Sequence, residues 1–244
     1  SLNGFKRQRQ TDASLIRIYF RYICVQNRSM YTEYQPSHLL VPYIDSYWEF
    51  KGNPDYGMRI HILPDGCTDF IFTLGEVANA VEEGSLIMQP YRSYFVGPMT
   101  KYSELVTYTE SIHMFGVRFL PCGLSCFTNL PLHEFVNSRV STNEMKAVFD
   151  DTFIEKLGEQ KHVTDRIRVV EEYLLAYLAR HYQPADSHVA MAVNMINHSK
   201  GKRSVRSLMD DVCLCQRHFE RKFKHYTGFT PKEYSRICLL YTSP

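Results

Sequence analysis

Ser204-Val-Arg-Ser-Leu-Met-Asp-Asp-Val-Cys-Leu-Cys-Gln-Arg-His-Phe-Glu-Arg-Lys-Phe-Lys-His-Tyr-Thr-Gly-Phe-Thr-Pro231 carries the punctuation of two short helices and the start of a third. Ser204 is a good N-cap, because its hydroxyl can accept from amides of the first turn. Val205, Leu208 and Met209 behind it share one helical face. Val212-Cys-Leu-Cys215 reads as a tight turn with Leu214 buried. From Gln216 to Tyr226, the spacing of Phe219, Phe223 and Tyr226 gives a helix with one apolar face. Gly228 ends that helix, and Pro231 suits the first position of the next.

With Phe219 and Phe223 inward, Gln216, Arg217, Glu220, Arg221 and Lys224 fall on the outer surface. Arginine can span guanine O6 and N7 with two hydrogen bonds, and glutamine can do the same for adenine N6 and N7. Two short helices joined by a tight turn present such a face to the major groove of duplex DNA. The plainer alternative is a cationic face on an ordinary helical bundle.

Working outward, His188 to His198 predicts a helix with Val189, Ala192, Val193 and Ile196 inward, ended by Lys200-Gly201-Lys202-Arg203 with Gly201 as a left-handed cap. Gln183 to Ser187 reads as a linker, with Pro184 stopping the helix before it. Asp165 to Tyr182 aligns Ile167, Val170, Leu174, Tyr177 and Leu178 in one stripe, which lines its own core or forms a dimer contact. From Met30 to about Phe119 the period is two. Strands are predicted at Met58–Leu63, Thr68–Leu74, Ser85–Met88, Tyr91–Val96, Glu104–Thr109 and Ile112–Phe119. Phe70, Phe72 and Leu74 share one face, as do His113, Phe115, Val117 and Phe119. Pro64-Asp-Gly66 reads as a turn, and Gly75 to Gly84 as an acidic loop.

The net charge of +2 hides an asymmetry. Residues 1–29 carry +5, residues 30–186 carry −9 and residues 187–244 carry +6. An acidic body joined to a basic C-terminal unit fits one part that meets a polyanion and one that does not. The seven cysteines show no Cys-x-x-Cys pair, which points to reduced thiols in a cytoplasmic protein. No stretch approaches the ~18 apolar residues of a membrane helix; Leu15 to Val25 is interrupted by Arg17 and Arg21.

The run from Ser204 to Pro231, and above all Arg217-His-Phe-Glu-Arg-Lys-Phe-Lys224 followed by Tyr226-Thr-Gly-Phe-Thr-Pro231, resembles the first helix-turn-helix of the AraC/XylS family of transcription regulators. The resemblance implies Arg217 and Arg221 as principal base readers with Gln216 and Glu220 beside them. It also implies Lys222 and Lys224 near phosphates, with His218 and Phe219 inward. Arg203 and Ser204, at the start of the motif, complete the expected DNA-binding set. The helix from Pro231 resembles the family's linker helix, so the chain ends where a second motif would begin. Upstream, Tyr34-Gln-Pro-Ser37 with Tyr47-Trp48, Pro64-Asp-Gly-Cys-Thr-Asp-Phe-Ile-Phe72, Phe95-Val-Gly-Pro98 and Gly116-Val-Arg-Phe119 with Pro121 resemble the N-terminal domain of certain members.

The expected architecture is therefore α+β. Residues 1–29 form an upstream extension, residues 30–183 an antiparallel β-roll or barrel with trailing helices, and residues 187–244 an incomplete all-α helix-turn-helix domain. The expected function is cytoplasmic transcription regulation, with activation as its role and duplex DNA as the partner. No cofactor, catalytic residue or membrane attachment is expected. The aromatic-rich roll either encloses a small effector, serves a homodimer, or simply packs. A different class stays open, in which the roll binds a ligand or catalyses and the helical tail serves dimerisation. His38, His61, His113 and His133 lie in or near the roll, but their spacing matches no metal site. Asp65 and Asp69 pair as acid and base only if Asp65 is not simply capping its turn. Cys67 or Cys122 would need a basic neighbour to act as a nucleophile.

Overall fold

A computed structural model describes residues 30–81, 86–145, 148–149, 151–181, 183–212 and 214–240. The expected extension at 1–29, Cys213 of the predicted turn and the last four residues lie outside the described residues. Among the described residues nine strands precede the α-helices. They are β1 (Tyr31–Tyr34), β2 (Ile44–Gly52), β3 (Met58–Ile62), β4 (Thr68–Thr73), β5 (Asn79–Ala80), β6 (Ser93–Val96), β7 (Ser103–Thr107), β8 (Ile112–Phe119) and β9 (Arg139–Ser141). Among the described residues six α-helices follow, α1 (Asp151–Gly158), α2 (Val163–His181), α3 (Ser187–His198), α4 (Val205–Val212), α5 (Gln216–Thr227) and α6 (Pro231–Leu240). The chain is α+β.

The strands form two antiparallel sheets, one of six strands in the order β1-β2-β8-β4-β6-β9 and one of three in the order β3-β7-β5. Strand β8 is central, and its register sets Val117 opposite Phe70 and Phe115 opposite Phe72. The two stripes expected from alternation therefore meet on one face. There, with Tyr47 and Phe95, they pack on Phe149, Phe153, Leu157, Val170 and Leu174 of the helical side. Val170 and Leu174 are fully buried, so the stripe of α2 lines its own core. The opposite face of the same sheet is covered by the three-stranded sheet, with Trp48, Phe50, Ile71, Leu105 and Met114 in one cluster. Glu49 pins sheet to helix, accepting from Arg166 Nη1 at 3.0 Å and lying 2.9 Å from His113 Nε2.

One predicted strand is not formed. Residues 86–89 have no regular structure, and the strand lies earlier, at Asn79–Ala80 inside the expected acidic loop. The cause is side-chain competition for backbone donors. The Met88 amide donates to Asn79 Oδ1 at 2.6 Å and the Gln89 amide to the Tyr94 hydroxyl at 2.7 Å, leaving neither for a ladder. Tyr91 likewise turns with a φ of 58°, so β6 starts at Ser93.

The C-terminal helices close a second core. Val189, Ala192, Val193, Ile196, Leu208, Val212, Phe219, Phe223, Phe229, Tyr234 and Ile237 pack together, and Cys122 of the β-body is part of the same cluster. Gly228 ends α5 at φ +83°, and a β-carbon there would stand 2.6 Å from Pro98 Cγ. Gly66, at φ +81° in the Pro64–Cys67 turn, lies so close to Tyr234 that its β-carbon would be 2.7 Å from the ring. The segment before α3 is anchored as well, with Gln183 Nε2 donating to Asn129 Oδ1 at 2.7 Å.

Candidate nucleic-acid interface

The local reasons for the α4–α5 pair are those written in its sequence. Ser204 Oγ accepts from the Ser207 amide at 3.1 Å and starts α4. Leu208 and Val212 are its buried residues. Phe219 and Phe223 are fully buried, their rings 5.6 Å apart edge to face, which fixes the roll of α5 about its axis. The opposite side of α5 is thereby turned to solvent, and Gln216, Arg217, Arg221 and Lys224 are exposed, with Glu220 half-buried beside them.

These outer residues are arranged along the helix. Gln216 Nε2 donates to Glu220 Oε1 at 2.8 Å, and Arg221 Nη2 donates to His218 Nδ1 at 3.2 Å. Both are exposed contacts spaced by one turn, worth a few tenths of a kcal/mol each, and break readily for a stronger partner. Three cations and one carboxylate make the face net positive. His218, placed inward by the family resemblance, is half-buried.

Two members of the expected set are engaged inside the fold. Arg203 donates from Nε to Ser207 Oγ at 3.0 Å and from Nη2 to the Ser207 carbonyl at 3.2 Å, and it is ion-paired with Asp211. Lys222 Nζ donates to Asp186 Oδ2 at 2.6 Å. The family resemblance implies Lys222 near phosphates; in the fold its ammonium lies at the start of α3. Asp186 itself is the N-cap of that helix, accepting from the His188 and Val189 amides at 3.1 and 3.2 Å. Burial opposes ionisation of Asp186, yet the Lys222 hydrogen bond and the Val189 amide carry its pKa below the usual carboxylate range.

Sequence reasoning missed Asp186, although an Asp directly before an apolar helical period is a recognisable cap. It also missed the seam beneath α5, which packs on the 3-10 turn Leu132–Phe135. His133 of that turn faces His225 with ring centroids 6.2 Å apart. Burial and then the neighbouring His133 lower the His225 pKa. Tyr234 of α6 donates to Asn197 Oδ1 at 2.9 Å and so ties α6 to α3.

Asp65 Oδ1 accepts from the Cys67 amide at 2.9 Å, the turn-capping role. Asp65 and Asp69 lie 3.7 and 3.2 Å from the buried Arg118 Nε. Burial pushes the thiols of Cys67 and Cys122 upward, which disfavours the thiolate that a nucleophile requires. Among the described residues no group of three His, Cys, Asp or Glu side chains could hold a metal ion. His61 sits by Tyr102, His113 by Glu49 and His133 by His225, in three separate places. Among the described residues no helix is long and apolar enough to cross a membrane.

Residues 32–141 match the model of a domain of unknown function, DUF6597. That span is the β-body from β1 to β9, without the helices that follow. No curated protein matches the chain. Among solved structures the chain is similar to ToxT from Vibrio cholerae, at 6% identity, 79% coverage of this chain, 98% coverage of that one and a TM-score of 0.31. A likeness at that level assigns no function, so the residues of α4 and α5 themselves are what a functional reading stands on.

Proposed function

We propose that this chain is a sequence-specific DNA-binding transcription regulator of the AraC/XylS kind, with α4 and α5 as its helix-turn-helix. The observation that carries the proposal is the face of α5. Phe219 and Phe223 are sealed in the core while Gln216, Arg217, Arg221 and Lys224 stand exposed on the other side. Arg217 and Arg221 read base edges in the major groove, Gln216 and Glu220 assist, and Lys224 meets phosphate. Ser204 and Arg203 act by holding α4 in place. The β-body receives the signal, through a small effector or a second copy of the chain.

The test is selection of bound duplexes from a random library, with the parent chain and an Arg217→Ala/Arg221→Ala variant of equal stability. Enrichment of a short motif by the parent alone supports the proposal. Equal behaviour of the two chains removes α5 as the reader. Binding that depends steeply on salt, with a slope falling by about one for each lost phosphate contact, separates DNA recognition from a tail that only dimerises.

A further inference from the structure

Glu220 is the sole carboxylate of α5, set among Gln216, Arg217, Arg221 and Lys224 on its outward side. On a face that meets phosphates a carboxylate is repelled, and it cancels one of the charges that draw the helix to DNA. A surface glutamate ordinarily serves its own helix by pairing with a cation three or four residues away. Arg217 and Lys224 stand at those spacings. Among the described residues, however, no ion pair engages Glu220, which accepts from the neutral amide of Gln216, Nε2 to Oε1, at 2.8 Å. Nearby carboxylates do hold cations, Asp211 with Arg203 and Asp186 with Lys222. Glu220 is therefore not in α5 to pair with a cation.

What the Gln216–Glu220 pair offers a base is acceptors. Gln216 occupies one oxygen of Glu220, while Glu220 Oε2 and Gln216 Oε1 have no proton to give. In the major groove guanine shows the acceptors N7 and O6, and thymine shows O4 and a methyl group. Adenine shows a donor at N6 with the acceptor N7 beside it. Cytosine alone shows only a donor, its N4 amine. A carboxylate pressed on an acceptor loses its water and gains no partner, which costs more than a correct contact gains. Glu220 thus acts chiefly by rejecting wrong bases.

We propose that Glu220, held by Gln216, is a specificity-determining residue that selects a cytosine beside the guanines taken by Arg217 and Arg221. The proposal rests on the reading of α5 as a base reader, and it names what the duplex must contain. Arg217 and Arg221 lie four residues apart along the helix, about 6 Å, which is close to two base-pair steps of about 3.4 Å. The bound site then carries two guanines about two base pairs apart. Because Glu220 directly precedes Arg221, the cytosine falls within about two base pairs of the guanine under Arg221.

Duplexes are selected from a random library with the parent chain, Glu220→Gln and Glu220→Ala, all three checked for cooperative thermal unfolding. The parent should favour cytosine at one position by at least about tenfold over guanine or thymine. Both variants should lose that preference and keep the guanines. They should also bind unselected duplex more tightly, because a charge facing phosphate is gone. A duplex whose cytosine lacks only the N4 amine (2-pyrimidinone) should bind the parent about tenfold more weakly, and Glu220→Gln less than about twofold more weakly. A glutamate that only braced its helix would change affinity for every sequence alike. The proposal is overturned if the variants enrich the parent's cytosine, if the parent enriches guanines without one, or if loss of the amine weakens parent and variant equally. Those results leave the regulator standing as long as the Arg217→Ala/Arg221→Ala variant loses the guanines. A parent that enriches no motif overturns both readings.

Discussion

Asp186, which the sequence did not single out, yields the sharpest prediction. Its carboxylate caps α3 through two amides and holds Lys222 Nζ at 2.6 Å. Asp186→Asn keeps an oxygen for the cap and loses the charge, whereas Asp186→Ala loses both. An N-cap contributes about 1 kcal/mol. The ion pair, with Lys222 32% and Asp186 12% exposed, sits between a surface and a buried pair and contributes about 1 kcal/mol. Urea unfolding at neutral pH should therefore show losses of about 1 kcal/mol for Asp186→Asn and about 2 kcal/mol for Asp186→Ala. Lys222→Ala should cost about 1 kcal/mol in the parent and nearly nothing in the Asp186→Ala background, since the pair is then already broken. The pKa of Asp186 is depressed on folding, so its contribution is present above the unfolded value of about 3.9 and lost as pH falls through the folded value. A positioning role also fixes the DNA result. Lys222→Ala should leave the salt slope of duplex binding unchanged, while Arg221→Ala lowers affinity and specificity. If Lys222→Ala instead lowers the slope by about one and costs the same stability in both backgrounds, Lys222 sits on phosphate and the pairing with Asp186 is incidental.

Further predictions concern the body and the seam. Burial, against the opposing charge of Arg118, lifts the Asp65 pKa to about 6. The folded value exceeds the unfolded one, so stability falls as pH rises from about 4 to about 6, by about 3 kcal/mol from this group. Asp65→Asn should flatten that part of the stability–pH curve, which urea midpoints at acid and neutral pH will show. Gly116→Ala would place a β-carbon 1.9 Å from Trp48 Cε2, so the indole must move. A loss of about 1–3 kcal/mol with a shift in Trp48 emission is expected. Gly228→Ala combines a left-handed backbone with the approach of Pro98 and should lower stability by about 1–3 kcal/mol, read as a drop in thermal midpoint.

The helical unit was the most legible part of the sequence, because its boundaries are set by local chemistry. Ser204, Gly201, Gly228 and Pro231 each do their work within one turn of chain, and each is found where its residue type placed it. Strands β3, β4 and β8 were legible through alternation. Strand β2 was not, because both of its faces are covered. Tyr47 points to one core and Trp48 to the other, so no polar period marks it. The unformed strand before β6 failed for another local reason, the capture of its amides by Asn79 and Tyr94. For the candidate site, the outward face of α5 followed from two phenylalanines. The pairing of Lys222 with Asp186 did not, because the residues are 36 apart and only the packing of α3 on α5 brings them together.

The presence of Cys122 within the helical core bears on the thermodynamics of any encounter with DNA. A reader hung from a loose tether must give up its freedom relative to the body at the moment it binds, which subtracts from affinity. Here that freedom is already spent during folding. Cys122, Pro98 against Gly228 and the Pro64–Cys67 turn against Tyr234 make body and helices one block. On the proposed reading, the angle at which α5 would approach a duplex is then a property of the folded chain, and a signal received by the body would act by shifting or loosening the block rather than by releasing a separate domain.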